Sequence, residues 1–84
     1  MNGEERRVRV LRLLGNNPNA LEYGAPLEPL VSKVCLAEGV GSRTARTYLL
    51  DLTIRKWARV ALGRVYLTRA GRDVLAESDR KVTP

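Results

Sequence analysis

The chain has 84 residues, 44% of them apolar and 29% charged, with a net charge of +6. That length allows one small domain, and this composition argues against disorder. There is no His, and Cys35 is the only Cys, so no intramolecular disulfide, no Cys cluster for zinc and no His-based catalytic arrangement can be assembled. No apolar run approaches the roughly 20 residues needed to span a bilayer. Charged Glu4, Glu5, Arg6, Arg7 and Arg9 stand where a secretory signal would be apolar.

Residues 4–14 read as a helix whose apolar members are Val8, Val10, Leu11, Leu13 and Leu14. At 100° per residue they cover more than half the circumference, wider than one core-facing stripe requires. The excess predicts two neighbours, one of them a second subunit, and so a homodimer with Val10, Leu13 and Leu14 in its interface. Gly15-Asn16-Asn17-Pro18-Asn19 ends this helix.

Leu21 and Tyr23 alternate with Glu22, which allows a short strand within 20–25. Pro26 and Pro29 fit only at the start of a helix. From there Leu27, Leu30, Val31, Val34 and Cys35 recur at the spacing of an amphipathic second helix, Leu27 to Glu38, which Gly39 ends. The same stripe places Cys35 in the core. After Val40-Gly41, Ser42 is a suitable N-cap for a third helix over 42–56. Ala45, Leu49 and Leu52 line its inner side. Arg43, Thr47, Leu50 and Ile54 lie opposite, flanked by Arg46.

The period then shortens. Residues 57–61 and 64–67 read as two strands around the turn Leu62-Gly63, with Trp57 and Tyr66 packing the hairpin onto the helices. Thr68 caps a fourth helix over 69–77. Residues 1–77 form the domain, and 78–84 read as a flexible tail.

The charge follows this layout. Residues 1–42 are neutral overall and 73–84 carry a net −1. Residues 43–72 hold Arg43, Arg46, Arg55, Lys56, Arg59, Arg64, Arg69 and Arg72 against the single acid Asp51, a net +7. A basic charge confined to thirty consecutive residues fits either a polyanion-binding surface or a solvated face.

The order of elements resembles a winged helix-turn-helix domain of the prokaryotic regulator type. Leu27 through Gly41 looks like the first helix and turn of the motif. Ser42-Arg43-Thr44-Ala45-Arg46-Thr47-Tyr48-Leu49 through Leu52 is similar to its recognition helix. Val65-Tyr66-Leu67-Thr68-Arg69-Ala70-Gly71 resembles its Tyr-x-Leu-Thr-x-x-Gly ending. One departure is Lys56, which stands where the family has Gly after the recognition helix. Either the helix exit has another backbone geometry, or Lys56 bears a strain of about 1 kcal/mol.

The resemblance implies a mainly α fold with a small β-hairpin. It implies a cytoplasmic, nucleoid-associated transcription regulator that binds double-stranded DNA. The third helix would enter the major groove, with Arg43, Arg46, Thr47 and Leu50 toward base edges. Ser42 and Thr44 would meet a phosphate at its N-terminus. Arg59 and Arg64 would act from the wing, and Lys56 and Arg69 would add phosphate contacts. Two alternatives stay open: a module that binds structured RNA or a ribonucleoprotein, and a protein-interaction module, for which outward Leu50 and Ile54 argue. No enzyme activity, metal or cofactor is expected.

Overall fold

Gly3–Gly15 forms helix α1, with Glu4 and Glu5 in its first turn and Arg12 in its last, each complementing the helix dipole. The structure, a computed structural model, describes residues 3–82. After Gly15 the chain runs through turns to Tyr23, one of them closed by the Asn19 N–H donating to Asn17 Oδ1 at 3.0 Å. The strand expected within 20–25 is reduced to β1, Ala25–Pro26. The alternation at Leu21 and Tyr23 does not form a strand, since backbone bonds from Tyr23 and Gly24 back to Asn19 curl that stretch into turns.

Helix α2, Leu27–Glu38, buries Leu30, Val31 and Val34, as its spacing predicts. Gly39 caps it in a left-handed conformation, φ 65°, with its N–H on the Cys35 carbonyl. Cys35 itself is half-buried against the core. Helix α3, Ser42–Ile54, buries Ala45, Leu49 and Leu52. Its N-cap is Gly41, not Ser42, and no side chain caps its first turn.

The exit of α3 answers the question raised by Lys56. The Trp57 N–H bonds the Leu52 carbonyl and the Lys56 N–H bonds the Thr53 carbonyl, both at 3.0 Å. That pair of bonds is a Schellman closure, which requires a left-handed residue between them. Lys56 adopts it, with φ 64°. The helix therefore stops at Ile54, two residues before the expected end.

Strands β2, Ala58–Ala61, and β3, Arg64–Leu67, pair antiparallel with Ala61 opposite Arg64. The two residues between them, Leu62 and Gly63, both have positive φ, 52° and 73°. This is the type I′ turn whose twist suits a two-residue hairpin, and Gly63 meets its backbone demand without strain. Trp57 precedes β2 and is half-buried against the core. Strand β1 pairs with the other side of β3, giving a three-stranded sheet of order β1-β3-β2.

Helix α4, Arg69–Val82, begins with Thr68 Oγ1 accepting the Gly71 N–H at 3.1 Å. The same hydroxyl donates to the Lys56 carbonyl at 2.7 Å, tying the start of α4 to the exit of α3. Gly71 is required by close approach, because a Cβ there would stand 2.2 Å from the Trp57 carbonyl oxygen. The helix runs past the expected end at 77. Residues 78–82 are helical, and Arg12 donates to Ser78 Oγ at 3.2 Å and Asp79 Oδ1 at 2.7 Å. Of the expected tail, residues 83–84 lie outside the described residues.

The core gathers on α1. Val10, Leu11 and Leu14 are fully buried with Val34, Leu52 and Val65. Helix α1 packs against α2, α3, α4 and β3. Three of the five apolar residues of the α1 arc, Val10, Leu11 and Leu14, are thus covered within one chain, while Val8 and Leu13 are half-buried. Val10 and Leu14 are inaccessible to a second subunit, which corrects their place in the expected dimer interface, while Leu13 is half-buried against the core. Burial of each such side chain contributes about 1.5–3 kcal/mol.

Three arginines on α1 reach three different helices: Arg7 to Asp51 on α3, Arg9 to Glu38 on α2 and Arg12 to Asp79 on α4. The Arg9 hydrogen bonds hold the Glu38 carboxyl below its ordinary range. Burial pushes the Asp51 carboxyl up, but the Arg7 hydrogen bond and the charges of Arg7 and Arg55 together outweigh it, leaving Asp51 lowered.

Candidate nucleic-acid interface

Because Ala45, Leu49 and Leu52 hold one side of α3 to the core, the other side must face outward. Arg43, Arg46, Thr47, Leu50 and Ile54 are all exposed there, with Leu50 59% and Ile54 71% accessible. Ser42 and Thr44 are exposed at the helix start. With no side-chain cap, the first-turn N–H groups of α3 remain open to an anion. The structure thus brings Ser42, Arg43, Thr44, Arg46, Thr47 and Leu50 onto one continuous surface.

These side chains are not equally free. Arg43, Lys56 and Arg69 are exposed and make no side-chain ion pair among the described residues. Thr47 donates its hydroxyl to the Arg43 carbonyl at 3.1 Å, which commits that proton to the helix backbone. Arg46 Nη2 donates to both carboxylate oxygens of Glu28 at 2.6 Å, linking α3 to the start of α2. Both partners are substantially exposed, so this pair is worth only about 0–1 kcal/mol and opens readily.

The two wing arginines divide. Arg59 is exposed and its guanidinium carbon lies 4.4 Å from the Tyr66 ring centroid, a cation–π contact. Arg64 turns the other way. Its Nε donates to the Tyr23 carbonyl at 2.6 Å and its Nη2 to the Gly24 carbonyl at 2.9 Å. Arg64 clamps the turn before β1 with two of its donors, where a wing contact is expected from the sequence.

Apolar groups share this face. Leu27, Leu49, Leu50, Thr53 and Val60 border a shallow groove of ≈ 350 Å³ beside Arg46. Leu62 stands at the hairpin tip, 98% exposed and at positive φ. Sequence reasoning missed Leu62, although its place in the only hairpin turn signal marks it as outward. It also missed Glu28, whose partner lies eighteen residues away and has no local signature. Among the described residues, no group of three metal-ligating side chains occurs and no helix is long and apolar enough to cross a membrane. Comparison of the chain with protein-family models, curated proteins and solved structures returns no match.

Proposed function

We propose that this chain is a winged helix-turn-helix protein that binds double-stranded DNA, with α3 in the major groove and the β2–β3 hairpin as wing. The observation that carries the reading is the outward face of α3. Its uncapped N-terminus, its Arg43 with no ion pair among the described residues, and its exposed Thr47 and Leu50 belong to the same segment of net charge +7 as the exposed Lys56, Arg59 and Arg69. In this reading Arg43 and Arg46 meet guanine acceptors, and Thr47 and Leu50 meet thymine methyl groups. Ser42, Thr44, Lys56, Arg59 and Arg69 hold phosphates. Glu28 then acts as an internal competitor that Arg46 must leave before reading a base. A cytoplasmic, nucleoid-associated regulator is the role that such base reading supports.

The test is binding of labelled duplex DNA across a salt series, against duplex RNA and single strands. The three cationic phosphate contacts, Lys56, Arg59 and Arg69, predict a slope of about −3 in log affinity against log salt, and Arg59→Ala should reduce its magnitude by about 1. On a site selected from random DNA, Arg46→Ala should lose about 1–3 kcal/mol, and much less on scrambled DNA. Equal losses on both would reduce α3 to a phosphate clamp, and stronger binding to duplex RNA would transfer the reading to RNA.

A second reading, docking of a protein segment, is favoured by the groove of Leu27, Leu49, Leu50 and Val60. Leu50→Ser would separate the two: as a base contact it costs affinity on the selected site more than on scrambled DNA, whereas as a docking contact it leaves both DNA affinities unchanged.

A further inference from the structure

Helices α1 and α4 flank a cleft of ≈ 750 Å³ that involves neither the outward face of α3 nor the hairpin strands. Its apolar walls are Val8 from α1, Val74 from α4 and the indole of Trp57, each half-buried. Carboxylates border it: Glu4 and Glu5 from α1, Asp73 and Glu77 from α4. Glu77 is itself 3.6 Å from Arg80, and two cations also line the cleft, each held by a carboxylate outside the lining. Arg9 is bonded to Glu38 at 2.8 and 3.0 Å, and Arg12 to Asp79 at 2.7 Å. With four carboxylates against two guanidinium groups in its lining, the cleft is an acidic, apolar-walled recess on a chain whose net charge is +6.

We infer that this cleft binds an apolar organic cation of drug-like size. Its volume lies within the range of about 300–1,000 Å³ typical of small-molecule sites. An indole face attracts a cation through its quadrupole, and the ligand would compete for the Trp57 ring with the Arg55 guanidinium, 5.8 Å from its centroid. Valine walls take up the apolar substituents of the ligand, and the bordering carboxylates supply the opposite charge. The ligand would sit against Trp57, and so against the joint between α3 and β2.

Trp57 is the only Trp, which makes its fluorescence a reporter of this cleft alone. The experiment titrates the full chain with tetraphenylphosphonium, and in parallel with tetraphenylborate, its near-isosteric anion. The phosphonium should shift Trp57 emission saturably, with an affinity at least tenfold above that of the borate. Each bordering carboxylate contributes about two- to fivefold. Joint replacement Glu4→Gln, Asp73→Asn and Glu77→Gln should therefore weaken the phosphonium about tenfold or more, with unchanged far-ultraviolet circular dichroism. Equal affinity for the two ions, or an unchanged phosphonium affinity in the triple variant, would overturn the assignment. So would emission that ignores the phosphonium but shifts with protein concentration, which would mark a second copy in the cleft.

Discussion

Replacing Lys56 by Gly should stabilise this protein, although the substitution removes a whole side chain. Lys56 has φ 64° at the Schellman closure of α3, a conformation that disfavours any residue with a Cβ by roughly 1–2 kcal/mol. Its side chain is exposed and makes no ion pair among the described residues, so little is lost with it. Glycine gives back about 0.5–1 kcal/mol through the greater freedom of the unfolded chain. The net expectation is a gain of about 0.5–1 kcal/mol, or roughly 2–8 °C in Tm for a domain of this size. Urea unfolding followed at 222 nm should show a higher midpoint at unchanged m-value. Lys56→Ala keeps the strained φ and should stay near wild type, which separates backbone relief from loss of charge. Both variants should reduce the salt slope of DNA binding by about 1. If Lys56→Gly were instead less stable than Lys56→Ala, Lys56 would not be in the left-handed region and the account of the α3 exit would fail.

Gly71→Ala should destabilise by about 1–3 kcal/mol or more, because its Cβ would fall 2.2 Å from the Trp57 carbonyl oxygen, a backbone atom that cannot step aside; thermal unfolding measures it. Arg64→Ala should lower stability by about 1–2 kcal/mol, since two carbonyls lose a charged donor, while leaving the salt slope of DNA binding unchanged. Glu38 and Asp51 both titrate below their ordinary values, so each contributes stability that is complete above the unfolded pKa of about 4 and is lost as pH falls through the lower folded value. Urea midpoints should therefore drop on acidification below about pH 4, and less steeply in the Glu38→Gln, Asp51→Asn double variant.

Much of this fold is legible in the residue pattern. The stripes Leu30-Val31-Val34 and Ala45-Leu49-Leu52 fix α2 and α3, and Leu62-Gly63 fixes the hairpin, because each is a local signal with a local cause. What periodicity cannot reveal is which surface covers an apolar face. Val10 and Leu14 read as surplus on α1 only because the several elements that bury them are distant in sequence. The same limit hides the last turn of α4, whose residues 78–79 are held by Arg12 across more than sixty positions. Within the candidate interface, Arg59 and Arg64 are equivalent as letters. They differ because the side chain at 64 lies beside β1 and finds two carbonyls, while the one at 59 finds a tyrosine ring.

The position of α1 in the chain also bears on the timing of folding. Its bonds to α2, α3 and α4 join residues 29, 44 and 67 apart, so its hydrophobic face stays uncovered until most of the chain has been made. During synthesis α2, α3 and the hairpin can assemble from short-range contacts while α1 waits without its full set of partners. Closure of α4 onto Arg12 would then be a late step that joins the two ends of the domain. A chain stalled before residue 69 would leave uncovered the side of α1 that α4 packs against, a surface that invites chaperones and proteases until the last helix emerges.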